Sequence, residues 1–207
     1  MILCITESAA YGEAALSRLC ASLPPERRAY AERARHPAMR ASRILGYALL
    51  AYAARLLLPD VRLGDLLIGE CGKPRLPDPR LTFSLSHTAS AVAVAVASAG
   101  TELGLDLETL RPLRPALLRS FASEDELARV TNASDPDRAA IALWTEKEAE
   151  AKRSGYGIGQ DLRSIRAQGS ATAWLSLGGV QHALTLTPCT ELPEIRQISP
   201  EELLSGI

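Results

Sequence analysis

Two runs with a two-residue period flank Gly100, and they limit the fold more than any other feature of the chain. Val92, Val94 and Val96 alternate through AVAVAVAS, the period of a strand and not of a helix. Beyond Gly100, Leu103, Leu105 and Leu107 alternate with Gly104, Asp106 and Glu108. Neighbouring side chains on a strand point to opposite faces. The leucines can therefore be buried while Asp106 and Glu108 share the other side. LTFSLSH, residues 81–87, reads as a strand that turns back into the valine run. Upstream, Pro24-Pro25-Glu26 starts a helical region that Pro37 restarts and Pro59 ends. Residues 66–80 carry Gly69, Gly72, Pro74, Pro77 and Pro79, which predicts a loop with short extended pieces. Downstream, the pattern predicts a helix over 115–130 and a second over about 137–153, ended by Ser154-Gly155. Residues 164–187 alternate again, with a turn at Gly178-Gly179. Helices followed by strands, twice over, predict an α+β protein of two similar lobes, 1–100 and 101–207.

A chain of 207 residues is long enough for one or two closely packed lobes. A formal charge of −1 with 4% aromatic residues gives no reason to expect nucleic-acid binding. No apolar run is long enough to span a bilayer, and MILCITESAAYGEAAL lacks the basic start of a signal peptide. Cysteines at 4, 20, 71 and 189 form no CxxC pair and suit a reducing compartment, so the cytoplasm is expected. Six arginines (27, 28, 33, 35, 40 and 43) stand between Glu26 and Arg43 against two glutamates. They form either a solvated helix face or a site for phosphate or an acidic partner.

Asp106 and Glu108 repel each other when a strand end brings them together. A cation between them relieves this, and few, hard oxygen ligands suit magnesium. An exposed strand end with two solvated acids is the plainer alternative. On the second predicted helix, Trp144, Glu148 and Lys152 recur at i, i+4 and i+8 and share one face. That stripe is either a surface ion pair or a third metal ligand, Glu148, next to a phosphate partner, Lys152.

Phe83-Ser84-Leu85-Ser86-His87, Leu103 to Glu108, and Trp144-Thr145-Glu146-Lys147-Glu148-Ala149 with Lys152 stand in a telling order and spacing. Together they resemble the 4'-phosphopantetheinyl transferases, and specifically the larger, two-lobed, monomeric Sfp type. Gly72-Lys73-Pro74, Ser42-Arg43-Ile44-Leu45 and Phe121-Ala122-Ser123-Glu124-Asp125-Glu126 agree with this. The resemblance runs from about residue 24 to about residue 165. It implies two lobes related by pseudo-two-fold symmetry, with the active site in the cleft between them. It also implies a magnesium ion on Asp106, Glu108 and Glu148, with Lys152 beside the transferring phosphate. Ser86 and His87 are implied to meet phosphates of coenzyme A, and Gly72, Lys73 and Pro74 to border the adenine. Arg43 is the best match for the 3'-phosphate, with Arg27, Arg28 and Arg35 as looser ones. The implied catalytic residues are Asp106, Glu148 and Lys152, and the implied partner is an apo acyl-, polyketide or peptidyl carrier protein.

The chemistry is self-consistent. A carrier serine can attack the pyrophosphate of coenzyme A with 3',5'-ADP as the leaving group; Glu148, directly or through a metal-bound water, can take its proton, and Lys152 can offset charge on the leaving phosphate. A metal-dependent nuclease or phosphohydrolase could use similar acids, and a non-catalytic protein could bind coenzyme A or a carrier. Acids at all three metal positions argue against the latter, because buried carboxylates without a cation are costly.

Overall fold

The computed structural model describes residues 1–69, 72–155, 161–166 and 169–206; Cys71 lies outside them. The chain is a mixed α+β protein. Strand β1 (Ile2–Glu7) leads into α1 (Glu13–Ser22), α2 (Pro25–Glu32) and α3 (Pro37–Leu57). Pro25 and Pro37 sit at the first helical position, where a missing N–H costs nothing. A small hairpin, β2 (Leu67–Ile68) and β3 (Pro74–Arg75), precedes β4 (Leu81–His87), β5 (Ala91–Ser98) and β6 (Gly104–Thr109). Then follow α4 (Pro115–Phe121), α5 (Glu124–Thr131), α6 (Pro136–Ser154), β7 (Ala171–Leu177), β8 (Val180–Thr187), β9 (Ile195–Gln197) and α7 (Pro200–Ser205).

One sheet has the order β4-β5-β1-β9 and the other β6-β8-β7. The alternation in β5 sorts its two faces. Val92, Val94 and Val96 pack with Ile44, Leu45 and Leu49 of α3. Ala91, Ala93 and Ala95 pack with Leu105 and Leu107 of β6 and with Leu184 and Leu186 of β8. Small side chains on that face leave room for the leucines of the second sheet. The edges β4 and β6 belong to separate sheets yet are sutured by serines. Leu105 N donates to Ser84 Oγ at 2.9 Å, and Ser86 Oγ donates to Asp106 Oδ1 at 2.8 Å. Both serines and Asp106 are buried.

Three features differ from the sequence expectation. The helix expected over 115–130 is two helices. Ser123 caps α5 and Glu126 reaches back to the Ser123 N–H, so this capping box starts a new helix where one was expected to continue. The first residues, which carry no recognisable motif, supply β1, flanked by β5 and β9. The tail returns to that same sheet, with β9 parallel to β1.

Candidate active site

Helix α6 lies directly on β6, and Gly104 permits it. A Cβ there would collide with the Ala149 carbonyl oxygen and stand 2.7 Å from Arg153 N. This approach sets the stripe Trp144, Glu148, Lys152 against the acids of the strand. Trp144 Nε1 donates to Glu108 Oε1 at 3.0 Å. Two helical turns on, Lys152 Nζ donates to Asp106 Oδ1 at 2.7 Å and to Ser86 Oγ at 2.9 Å. Glu148 stands between these two contacts along the helix. Burial pushes its carboxyl above the usual range, and the charges of Asp106 and Glu108 add to this against the opposing pull of Lys152.

The acids do not form a closed ligand set. Among the described residues no three His, Cys, Asp or Glu side chains stand close enough to hold a metal. The other oxygen of Glu108 accepts from Arg111 at 2.7 Å. Asp106 Oδ2, however, is buried with no hydrogen-bond partner. An orphaned carboxylate oxygen next to an acid made less acidic by burial and by its neighbours is the environment a cation improves. The donor chemistry of Asp106 and Glu148 therefore suits a hard divalent ion, while Glu108 keeps its bonds to Trp144 and Arg111.

Beside this cluster lies a cavity of about 500 Å³. Its walls come from α2 (Arg27, Tyr30), α3 (Ser42, Arg43, Gly46), the β2–β3 hairpin with Gly72-Lys73-Pro74, β4 including His87, and the end of α6 with Lys152. Arg27 and Arg43 lie over the Tyr30 ring, at 5.1 and 4.1 Å from its centre. Each has a buried Nε–H with no partner, and Arg43 also donates to the Tyr30 carbonyl at 2.7 Å. Unmet donors at a cavity wall suit an anion. His87 lies at the mouth of the cavity. The walls that displace water from its ring, with Lys152 and Arg43 nearby, hold it below the ordinary histidine range.

Of the loosely matched arginines, Arg27 lines the cavity. Arg28 instead donates to the carbonyls of Ala21 and Leu23, at the end of α1. Arg35 is exposed and away from the cavity walls. Lys73 spends its ammonium on protein: Nζ donates to Arg153 O at 3.0 Å and to Leu103 O at 3.3 Å. It thereby ties the β2–β3 hairpin to the carbonyl end of α6, where a cation is favoured. Burial lowers its pKa.

Lys147, inside the Trp144–Ala149 motif, has no role assigned by the resemblance. Its side chain is almost wholly buried and bonds Glu126 Oε2 at 2.9 Å, Leu162 O at 2.9 Å and Ile165 O at 3.0 Å. It is in phase with the buried Leu143 and Ala140, and that phase is the signal the sequence offers.

Residues 102–183, which carry β6, α6 and the first half of β8, match the model of the 4'-phosphopantetheinyl transferase superfamily. The chain is similar to the transferases of that superfamily. It is 34% identical over 100 residues to the 4'-phosphopantetheinyl transferase psf-1 of Bacillus pumilus, a match covering 47% of this chain and 42% of that protein. It is 28% identical over 128 residues to a Haemophilus influenzae protein provisionally named 4'-phosphopantetheinyl transferase, covering 60% of this chain and 53% of the relative. The chain thus spans about half the length of the curated relatives it matches. The superfamily match covers both acids of the strand and the whole α6 stripe. Arg43 and His87, which also line the cavity, lie before it.

Proposed function

We propose that this protein moves the 4'-phosphopantetheine arm of coenzyme A onto a serine of an apo carrier protein, with release of 3',5'-ADP. The observation that carries this reading is the meeting, across the β4–β6 seam, of a cationic cavity with an acid cluster. Lys152 belongs to both: it lines the cavity and bonds Asp106. Coenzyme A needs such a pairing, because its 3'-phosphate asks for fixed cations and its pyrophosphate asks for a metal.

In this reading Arg43, His87 and Arg27 hold the 3'-phosphate, and Gly72, Lys73 and Pro74 border the adenine. Lys73 does so chiefly by fixing the hairpin, given its bonds to α6 and β6. Asp106, Glu108 and Glu148 would hold magnesium. A magnesium ion bound there would supply neutralisation of the pyrophosphate and polarisation of the phosphorus. Glu148 would take the proton of the carrier serine. Lys152 turns from Asp106 to the phosphate that loses the arm, where its charge is needed. Ser86 donates to Asp106 and fixes which carboxylate oxygen is free. We also propose the finer architecture implied by the resemblance. It has two lobes, 1–100 and 101–207, related by pseudo-two-fold symmetry, in a monomer that works in the cytoplasm. The described helices include none long and apolar enough to cross a membrane.

Incubation with coenzyme A, magnesium and an apo carrier tests the proposal. The carrier should gain the mass of one phosphopantetheine. Release of 3',5'-ADP without a carrier would mark a phosphohydrolase. Binding without either product would mark a coenzyme A-binding protein.

A further inference from the structure

The face of β8 that meets the first sheet is apolar except at one position. Leu184 and Leu186 are fully buried there, and His182, in phase with them, is buried just as completely. A buried imidazole must have both ring nitrogens satisfied. Nδ1 lies 2.9 Å from the Val180 carbonyl, which can only accept, so the proton belongs on Nδ1. Nε2 is then an acceptor, and Ser90 Oγ stands 2.8 Å from it, with Thr88 Oγ1 at 3.3 Å. Burial holds the ring below the ordinary histidine range, in keeping with a neutral acceptor.

Ser90 and Thr88 form the turn between β4 and β5, directly after His87. The turn is closed from within, since Thr88 Oγ1 accepts from the N–H groups of Ser90 and Ala91. It is anchored on one side by the residue just after β1, where Ser8 N donates to Ser90 O at 2.7 Å. His182 anchors it on the other side, from the second sheet. His87 ends β4, paired with Val92 of β5, and the turn that follows it meets a residue 95 positions from His87 in sequence.

We propose that His182 is a positioning residue for the anion pocket: by holding the Thr88–Ser90 turn it fixes His87 at the cavity mouth. It touches no ligand itself. The pocket role of His87 rests on the function proposed above, but the link from His182 to His87 does not.

Two variants separate the hydrogen bond from the packing. His182→Leu keeps bulk and removes both bonds, and His182→Gln returns an acceptor toward Ser90. The first readout needs no ligand: the ring signals of His87 in ¹H–¹⁵N spectra should shift or broaden in His182→Leu and recover in His182→Gln. The second is calorimetry with 3',5'-ADP, whose affinity should fall about ten-fold in His182→Leu, the scale of one charge-assisted hydrogen bond. The same change made in a His87→Ala background should cost almost nothing, because His182 acts through that ring. Unmoved His87 signals in a folded His182→Leu, or equal losses in both backgrounds, would overturn the proposal. Should His182→Leu fail to fold, Ser90→Ala removes the same bond from the turn side, and the His87 signals decide in the same way. If wild-type protein does not bind 3',5'-ADP, the functional reading fails while the spectra still decide the positional link.

Discussion

Replacing Lys147 by Met keeps a long apolar stem and deletes one ammonium from the most enclosed charge pair among the described residues. Lys147 and Glu126 are 1% and 7% exposed at their side chains, with Nζ and Oε2 2.9 Å apart. The change leaves Glu126 with the Ser123 N–H at 2.7 Å and a distant Arg166 at 3.6 Å. It also leaves the Leu162 and Ile165 carbonyls without their donor. Removing one partner of a buried pair costs about 3–5 kcal/mol, mostly the penalty of the stranded charge. For a chain of this size that is a fall in Tm of roughly 6–20 °C. Glu126→Gln in the same protein removes the stranded charge, so the double variant should regain part of the loss. The acid limb gives an independent check. Burial raises the Glu126 carboxyl, but the Ser123 N–H and Lys147 outweigh it and the folded pKa is depressed. A depressed carboxyl contributes stability above its unfolded pKa, and that contribution is lost as pH falls through the folded value. Wild-type protein should therefore lose more stability between neutral pH and about pH 3 than Lys147→Met does. Urea unfolding at several pH values measures both effects. A Lys147→Met loss below about 1 kcal/mol, or acid sensitivity identical to wild type, would refute the reasoning.

The remaining predictions concern the site and its scaffold. Asp106→Ala, Glu108→Ala and Glu148→Ala should each lose most transfer activity with circular dichroism unchanged; near-normal turnover of Asp106→Ala at saturating magnesium would show the metal site is misassigned. Dephospho-coenzyme A should bind more weakly by about 1.5–3 kcal/mol for each charged hydrogen bond lost at Arg43 and His87. Equal affinity by calorimetry would remove their role. Gly104→Ala should cost most of the soluble yield, because its Cβ collides with α6 backbone and not with a side chain that can move; a normal melting temperature would contradict the packing. Leu117 is 39% exposed between the exposed Arg114 and Arg119, whereas Phe121 is buried against Trp144. Charge reversal at either arginine should raise the carrier KM at low salt and spare coenzyme A binding. An unchanged KM would move docking to another surface.

What the chain reveals in advance follows the range of the interactions. The alternation of Leu103, Leu105 and Leu107 predicts their burial, because each leucine reports its own face; all three are buried. The stripe Trp144, Glu148, Lys152 is likewise legible, since helical phase alone puts the three on one side. Its partners were less so. Phase does not say that Trp144 meets Glu108 while Lys152 meets Asp106, because that pairing depends on the crossing of α6 over β6, which Gly104 controls through an absent side chain. The strand β1 stayed hidden for a different reason. ILCITE is short, and its pairing partners, β5 and β9, begin 89 and 193 positions after Ile2. No local window contains that information. The split of the 115–130 helix was readable, since Ser123 and Glu126 form a local capping box that the apolar pattern obscured.

His182 joins both cases. Its phase with Leu184 and Leu186 in VQHALTLT marks it as a polar residue on a buried face, which is a local signal. Its partners, Thr88 and Ser90, lie in the turn between β4 and β5 and are fixed only when the two sheets meet. The same seam carries Ser84 on the Leu105 N–H, Ser86 on Asp106, and Lys73 on Leu103 and Arg153. Each of these contacts is polar, buried or part-buried, and joins a residue before Gly100 to one after it. An apolar seam would hold the two sheets together but leave their register free. Directional hydrogen bonds set that register. The relative position of His87 and Lys152, from opposite sides of the seam, decides whether one phosphate-bearing molecule can meet both. The serines of LTFSLSH therefore act in the site by alignment, and loss of one should change ligand affinity more than it changes the stability of either sheet.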